Sequence, residues 1–113
     1  GLGEAKYVVS RGANANGSWA IWSDGAIELF GVSPTIVDGL STVTYPITLP
    51  ASSPYITTAE RISSDNNGSG NTVHVSSVID TSVTKSGFKA RCQNYSGAPS
   101  SSTFVWRVYY API

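Results

Sequence analysis

Residues Trp19 to Gly31 read WAIWSDGAIELFG, and this stretch decides the fold class. Two short runs of β-formers, WAIW and AIELF, flank Ser23-Asp24-Gly25. Asp-Gly between such runs signals a hairpin, because a primed turn needs positive φ, which Gly, Asn and Asp tolerate and other residues resist. Along an extended second run, Ala26, Glu28 and Phe30 point to one side and Ile27 and Leu29 to the other. A lone hairpin is marginal in water, so Trp19, Trp22 and Phe30 require a partner surface further along the chain.

Upstream of the hairpin, Ala5 to Ser10 predicts a short strand, and the Gly/Asn-rich Arg11 to Ser18 a loop. Downstream, Val32 to Ser41 carries Ser-Pro and Asp-Gly steps and reads as a second loop. Thr42 to Leu49 alternates, with Val43, Tyr45, Ile47 and Leu49 on one face. Pro46 inside that run has no N–H for a ladder, which places it at a sheet edge or a bulge. Tyr55 to Ile62 and Thr72 to Asp80 are the next strands, separated by the polar SSDNNGSGN loop; Ser76-Ser77 reads as a bulge. Phe88, Ala90 and Cys92 then alternate with Lys89, Arg91 and Gln93. After the polar loop 94–102, Phe104, Trp106, Val108 and Tyr110 alternate with Val105, Arg107 and Tyr109. Both faces of that last strand are partly apolar, which makes it central or covered by another subunit.

No stretch keeps a helical period. Evenly spaced strands with turn signals between them predict an all-β fold, an antiparallel β-sandwich of about six to eight strands. If neighbouring strands alternate in direction, residues 11–18, 32–41, 63–71 and 94–102 gather at one end. The tight turns at 23–25, 50–54 and 81–87 gather at the other with both termini. Long polar loops presented at one end of a rigid scaffold suit a binding module.

Composition narrows the function classes. The 113 residues suit one domain, only 12% are charged, and the net charge is zero, so there is no basic footprint for nucleic acid. Aromatics reach 11%, while Ser, Thr, Gly and Asn fill the polar positions, a balance typical of β-rich adhesive proteins. A single cysteine, Cys92, excludes an intrachain disulfide, and no run has the length of a membrane span. The chain contains no Met, which reads as a piece of something longer.

Four motifs in order then point to a family. They are W-x-x-x-x-x-G-x-I-x-x-x-G (Trp19 to Gly31), T-V-T-Y-P-I-T-L-P (Thr42 to Pro50), S-G-F-K-A (Ser86 to Ala90) and F-V-W-R-V-Y-Y (Phe104 to Tyr110). Together they resemble the C-terminal tip domain of phage tail fibres. There a GLIIQWG-like strand precedes V-T-F-P-x-x-F-P, and a W-x-A-x-G-Y-like strand closes the chain. The part from Ser41 onward is similar to the H-type lectin fold. The resemblance covers residues 17 to 111; Glu28-Leu29-Phe30 stands where the family shows a Gln-Trp pair, and Arg107-Val108 replaces the small-residue close. It implies a homotrimer in which residues 1–16 connect to a fibre shaft and 17–113 form the tip domain. It also implies a place at the tail-fibre tip of a virion assembled in the host cytoplasm. The expected partner is a bacterial surface glycan (lipopolysaccharide or capsule) or an outer-membrane protein, with no nucleic acid, no membrane insertion and no cofactor.

Catalytic chemistry finds little support. His74 is the only histidine and reads as a strand residue facing solvent or a subunit neighbour; metal-binding fibre tips would need it on a three-fold axis. Asp24, Glu28, Glu60, Asp65 and Asp80 offer no evident carboxylate pair for glycoside hydrolysis. Asp24 suits its turn, and Glu28 and Glu60 suit partners such as Arg61 or Arg107. Cys92 reads as a small buried hydrophobe, and Trp19, Trp22, Phe104 and Trp106 as core and interface. No catalytic residue and no metal ligand is assigned, and the chain is read as a non-enzyme. The candidate ligand-binding residues are Asn66 and Asn67 in the loop 63–71, with Asn94, Tyr95 and Ser96 in the loop 94–102. An apolar sugar face stacks on a tyrosine ring while Asn and Ser groups bond its hydroxyls. The expected function is receptor attachment without catalysis. The alternatives are a structural module that trimerises or caps a fibre, and a carbohydrate-active enzyme domain.

Overall fold

The computed structural model describes residues 5–62 and 73–112. Among them nine strands form two antiparallel sheets packed face to face. In chain order the strands are β1 (Val8–Asn14), β2 (Gly17–Trp22), β3 (Ile27–Val32), β4 (Ile36–Val37), β5 (Leu40–Thr44), β6 (Tyr55–Glu60), β7 (His74–Val78), β8 (Gly87–Asn94) and β9 (Phe104–Tyr110). The first sheet runs β1-β2-β3-β9-β6 and the second β4-β5-β8-β7. A single 3-10 turn, Asp80–Ser82, is the only helical element among the described residues, and none of their helices is long and apolar enough to cross a membrane.

The Trp19–Gly31 stretch is a hairpin with a different turn from the one expected. The Gly25 N–H donates to the Trp22 carbonyl (2.9 Å) and the Trp22 N–H to the Ala26 carbonyl (2.8 Å), which leaves a three-residue loop. Only Gly25 has positive φ, 91°, so one flexible residue suffices where a primed two-residue turn needs more. Asp24 Oδ1 accepts the Ala26 N–H at 2.9 Å and holds the loop shut.

The period-two reading sorts inside from outside. Ile27 and Leu29 from β3, Phe104, Trp106 and Val108 from β9, and Phe88, Ala90 and Cys92 from β8 are all core residues. Tyr45, Phe88 and Trp106 form a triangle of rings with centroids 6.1–6.2 Å apart, and Phe88 meets Trp106 edge-on. The last strand is central, between β3 and β6, which explains why both its faces carry large side chains.

Several local expectations are corrected. Residues 11–14 are strand, not loop: β1 pairs with β2 along its length, with an irregularity between Val8 and Ser10, so residues 8–14 belong to the same sheet as the hairpin. Strand β5 stops at Thr44, and Pro46 is buried beyond its end instead of within an edge strand. There the Pro46 carbonyl accepts Asn14 Nδ2 at 2.9 Å. The Ser76-Ser77 pair is regular ladder, with Ser76 opposite Cys92 and Ser77 opposite Arg91. Its alternation turns Ser76 and His74 inward, so His74 is 7% exposed and does not face solvent, with Nε2 3.4 Å from the Thr103 carbonyl.

Strand directions alternate through the five-stranded sheet. Val32 lies opposite Val105 and Glu60 opposite Phe104, so the segments 33–39, 61–62 and 95–103 leave one end together, beside the β1–β2 turn. At the other end the Tyr7 N–H donates to Ser23 Oγ (3.1 Å) and the Ser23 N–H to the Tyr7 carbonyl (2.7 Å). Pro112 stands beside Gly25 there as well.

Candidate functional site

The loop after β8 is built around Asn94. Its Oδ1 accepts three hydrogen bonds, from the Ser96 N–H (3.0 Å), Ser96 Oγ (2.8 Å) and the Ala98 N–H (3.1 Å). The Asn94 N–H donates to the Ala98 carbonyl at 2.9 Å and the Gly97 N–H to the Asn94 carbonyl at 3.0 Å. A short polar side chain that satisfies successive backbone donors is how Asn makes a turn. The Asn94 Oδ1 and the Ser96 hydroxyl thus bond each other within the loop, and Tyr95 between them is 68% exposed. Asn66 and Asn67 lie outside the described residues.

Three of the candidate acids are engaged individually, and Asp65 lies outside the described residues. Glu28 Oε2 stands 3.1 Å from Arg107, Glu60 Oε1 accepts the Ser76 N–H at 2.8 Å, and Asp24 pairs with Lys6 at 3.6 Å in addition to its turn bond. No cluster of three or more His, Cys, Asp or Glu able to hold a metal occurs among the described residues. Cys92 is buried, and burial raises its thiol pKa, which leaves it protonated and unreactive at neutral pH.

Two surfaces emerged that alternation in single strands does not announce. The first is the outer face of the five-stranded sheet, where Phe30, Val32 and Val105 are exposed beside a groove of about 580 Å³ that also takes in Thr57 and Ala59. Across this face the Arg107 guanidinium lies 6.0 Å from the Phe30 ring and 5.7 Å from the Tyr109 ring, and Tyr109 stacks with Tyr55 at 6.4 Å. The opposite outer face, on β5 and β8, carries Thr42, Thr44, Lys89, Arg91 and Gln93 instead. The molecule thus has one aromatic face and one polar face. The second surface is a cleft at the loop end, between the β1–β2 turn and β5, reached by the indole of Trp106. The signal for both lay in Gly31 and Val32, whose neighbours come from β9, more than 70 residues further on.

No family model and no curated protein matches the chain. Solved structures do match. The C-terminal part of the R1 pyocin fibre of P. aeruginosa aligns with a TM-score of 0.60 at 17% identity, over 91% of this chain and 28% of that one. The corresponding part of the R2 pyocin fibre gives 0.57 at 18%, over 91% and 26%. An N-truncated R1-type pyocin tail fibre gives 0.55 at 16%, over 95% of this chain and 86% of that one. At these identities the likeness is one of fold, and the chain spans about a quarter of the first two fibre chains it matches. The all-β, two-sheet architecture is that of a pyocin tail-fibre C-terminal region.

Proposed function

We propose that this chain is the receptor-binding tip module of a tailocin or phage tail fibre, attaching the particle to a bacterial surface glycan or outer-membrane protein without catalysis. The observation that carries the reading is the fold match to pyocin fibre C-termini over nine-tenths of the chain. The arrangement of the loops supports it: segments 33–39 and 95–103 leave the end of the sheet opposite Tyr7 and Pro112, so a shaft joined at the termini would present them outward. On this reading Asn66, Asn67, Asn94, Tyr95 and Ser96 contact the receptor, and the Asn94 side-chain oxygen also shapes the loop that carries Tyr95. A lectin-like homotrimer is part of the same proposal, since three copies multiply weak single contacts.

The test is attachment. Purified chain is incubated with a panel of Gram-negative cells and with their isolated lipopolysaccharide, and bound protein is quantified. Saturable binding to some strains, lost on Tyr95→Ala with melting unchanged, is the expected result; uniform absence of binding overturns it. A structural role as a trimerising or capping module is the second reading, favoured by the aromatic outer face at Phe30, Val32 and Val105. It is the better one if the chain self-associates through that face and binds no cell.

A further inference from the structure

The register of the five-stranded sheet lines up side chains across its outer face. Ser18 lies opposite Phe30, Phe30 opposite Arg107 and Arg107 opposite Thr57. A hydroxyl, a ring, a guanidinium and a second hydroxyl therefore follow one another on four neighbouring strands. Two residues nearer the loop end, Val32, Val105 and Ala59 form a second row that is wholly apolar. Strands lie about 4.8 Å apart and the two rows about 6.8 Å apart, dimensions that one substituted sugar ring can span. Every residue of both rows is exposed, and all line the groove of about 580 Å³. That volume falls within the range of small-molecule sites, roughly 300–1,000 Å³. The groove also lies at the end where segments 33–39 and 95–103 leave the sheet.

The chemistry of the two rows selects the occupant. Arg107 is the only charged residue lining the groove, and Glu28 Oε2 stands 3.1 Å from it, so the pair leaves no net charge for an ionic ligand to neutralise. Strands β3 and β9 have neighbours on both sides, so their main chain has no free edge on which a peptide could pair. Phe30 is 39% exposed and offers ring surface, with Ser18, Arg107 and Thr57 as hydrogen-bonding groups beside it. The second row offers none, and a ligand hydroxyl buried there would lose water without replacement. A neutral sugar ring with an apolar substituent, such as an N-acetylhexosamine or a 6-deoxyhexose, matches both rows. Its C–H face meets Phe30, its hydroxyls meet the first row, and its methyl group lies over Val32, Val105 and Ala59. The site is also set beforehand: the Arg107 guanidinium is fixed by Glu28 and lies 6.0 Å from the Phe30 ring and 5.7 Å from the Tyr109 ring. Groups held in place before binding reduce the entropy lost when a ligand arrives.

We infer that this groove binds a neutral N-acetylated or 6-deoxy sugar, its ring against Phe30 and its methyl group on the Val32–Val105–Ala59 row. The inference deepens the proposed attachment role and rests on it for the ligand's origin in a surface glycan. It is tested by NMR titration of the purified chain with methyl glycosides of N-acetylhexosamines and 6-deoxyhexoses. Methyl glucoside serves as the ring without the substituent, and methyl glucuronide as the charged control. At least one substituted glycoside should shift the Ser18, Val32, Thr57 and Val105 amides and the Arg107 side-chain N–H saturably, and both controls should bind more weakly. Phe30→Val keeps β-propensity but removes the ring, and should weaken binding about tenfold with the melting transition intact. Val105→Thr keeps the shape but adds a hydroxyl, and should erase the preference for the substituted sugar over methyl glucoside. Silence at these resonances across the panel, equal binding of the glucuronide, or unaffected binding in Phe30→Val overturns the site. So does self-association through Val32 and Val105 that saturating glycoside fails to displace. Cell binding without any glycoside response removes the groove and leaves the attachment role standing. Glycoside response without cell binding does the reverse.

Discussion

Trp106 packs hard against Gly31: a Cβ at Gly31 would sit 2.4 Å from Cζ2 of the indole and 2.8 Å from its Nε1. The two residues are opposite each other in register on β3 and β9, and the glycine is what lets the largest side chain of the core cross its neighbour. Gly31→Ala should therefore destabilise by about 1–3 kcal/mol, the usual range for overpacking. Trp106→Ala should cost about 3–5 kcal/mol by cavity formation. The double variant Gly31→Ala/Trp106→Phe should recover part of the first loss, since contacting residues are not additive. Chemical denaturation of these variants, with Trp106→Phe alone to complete the cycle, checks this, and strict additivity would mean that the close approach is not what constrains position 31.

Asn94 and Tyr95 are adjacent in sequence but should behave oppositely. Removing the Asn94 carboxamide strands three donors, two of them backbone N–H groups in a tight turn. Asn94→Ala should lower stability by about 1 kcal/mol and loosen residues 94–98 in amide exchange. Tyr95→Ala should change stability by less than about 0.5 kcal/mol, as exposed substitutions usually do, while reducing attachment to cells. Equal melting temperatures for both variants would contradict the separation.

Tyr45 carries a hydroxyl that is buried with no hydrogen-bond partner among the described residues, and desolvation raises its pKa to about 12. The folded state thus favours the protonated phenol. Its stability contribution is complete below the ordinary tyrosine value near 10 and is lost as pH rises from there through about 12. The melting temperature should fall across that window, and Tyr45→Phe should flatten the fall. At neutral pH the same variant should be neutral or stabilising by roughly 1 kcal/mol, because it removes an unsatisfied polar group. A clear loss of stability in Tyr45→Phe would reveal a partner for the hydroxyl.

Val32 and Val105 face each other across β3 and β9 and are 64% and 40% exposed on the aromatic outer face. If the proposed trimer forms there, Val32→Lys/Val105→Lys should yield a monomer in sedimentation at micromolar concentration with an intact melting transition. Wild-type protein that sediments as a monomer under the same conditions removes self-association through this face.

Read alone, the sequence determined which residues face inward along single strands. Phe88, Ala90 and Cys92, and likewise Phe104, Trp106 and Val108, alternate with polar neighbours, and a period of two is a local property of extended chain. The Asp24-Gly25 turn was legible from turn chemistry, whereas the sequence left Arg61 and Arg107 both open as partners of Glu28 and only the β3–β9 register selects Arg107. What only tertiary structure decided is how distant strands meet. The clamp between Ser33 and Phe104 joins residues 71 apart, and nothing local encodes that pairing. It brings Gly31 under Trp106, shapes the cleft beside Asn16, and sets one face of the five-stranded sheet apart as aromatic. Pro46 escaped an edge-strand reading because the chain leaves β5 two residues earlier and buries it. His74 escaped a surface reading because the register of β7 on β8 turns it inward opposite Asn94. In each case the local pattern allowed two placements, and burial of the shared core selected one.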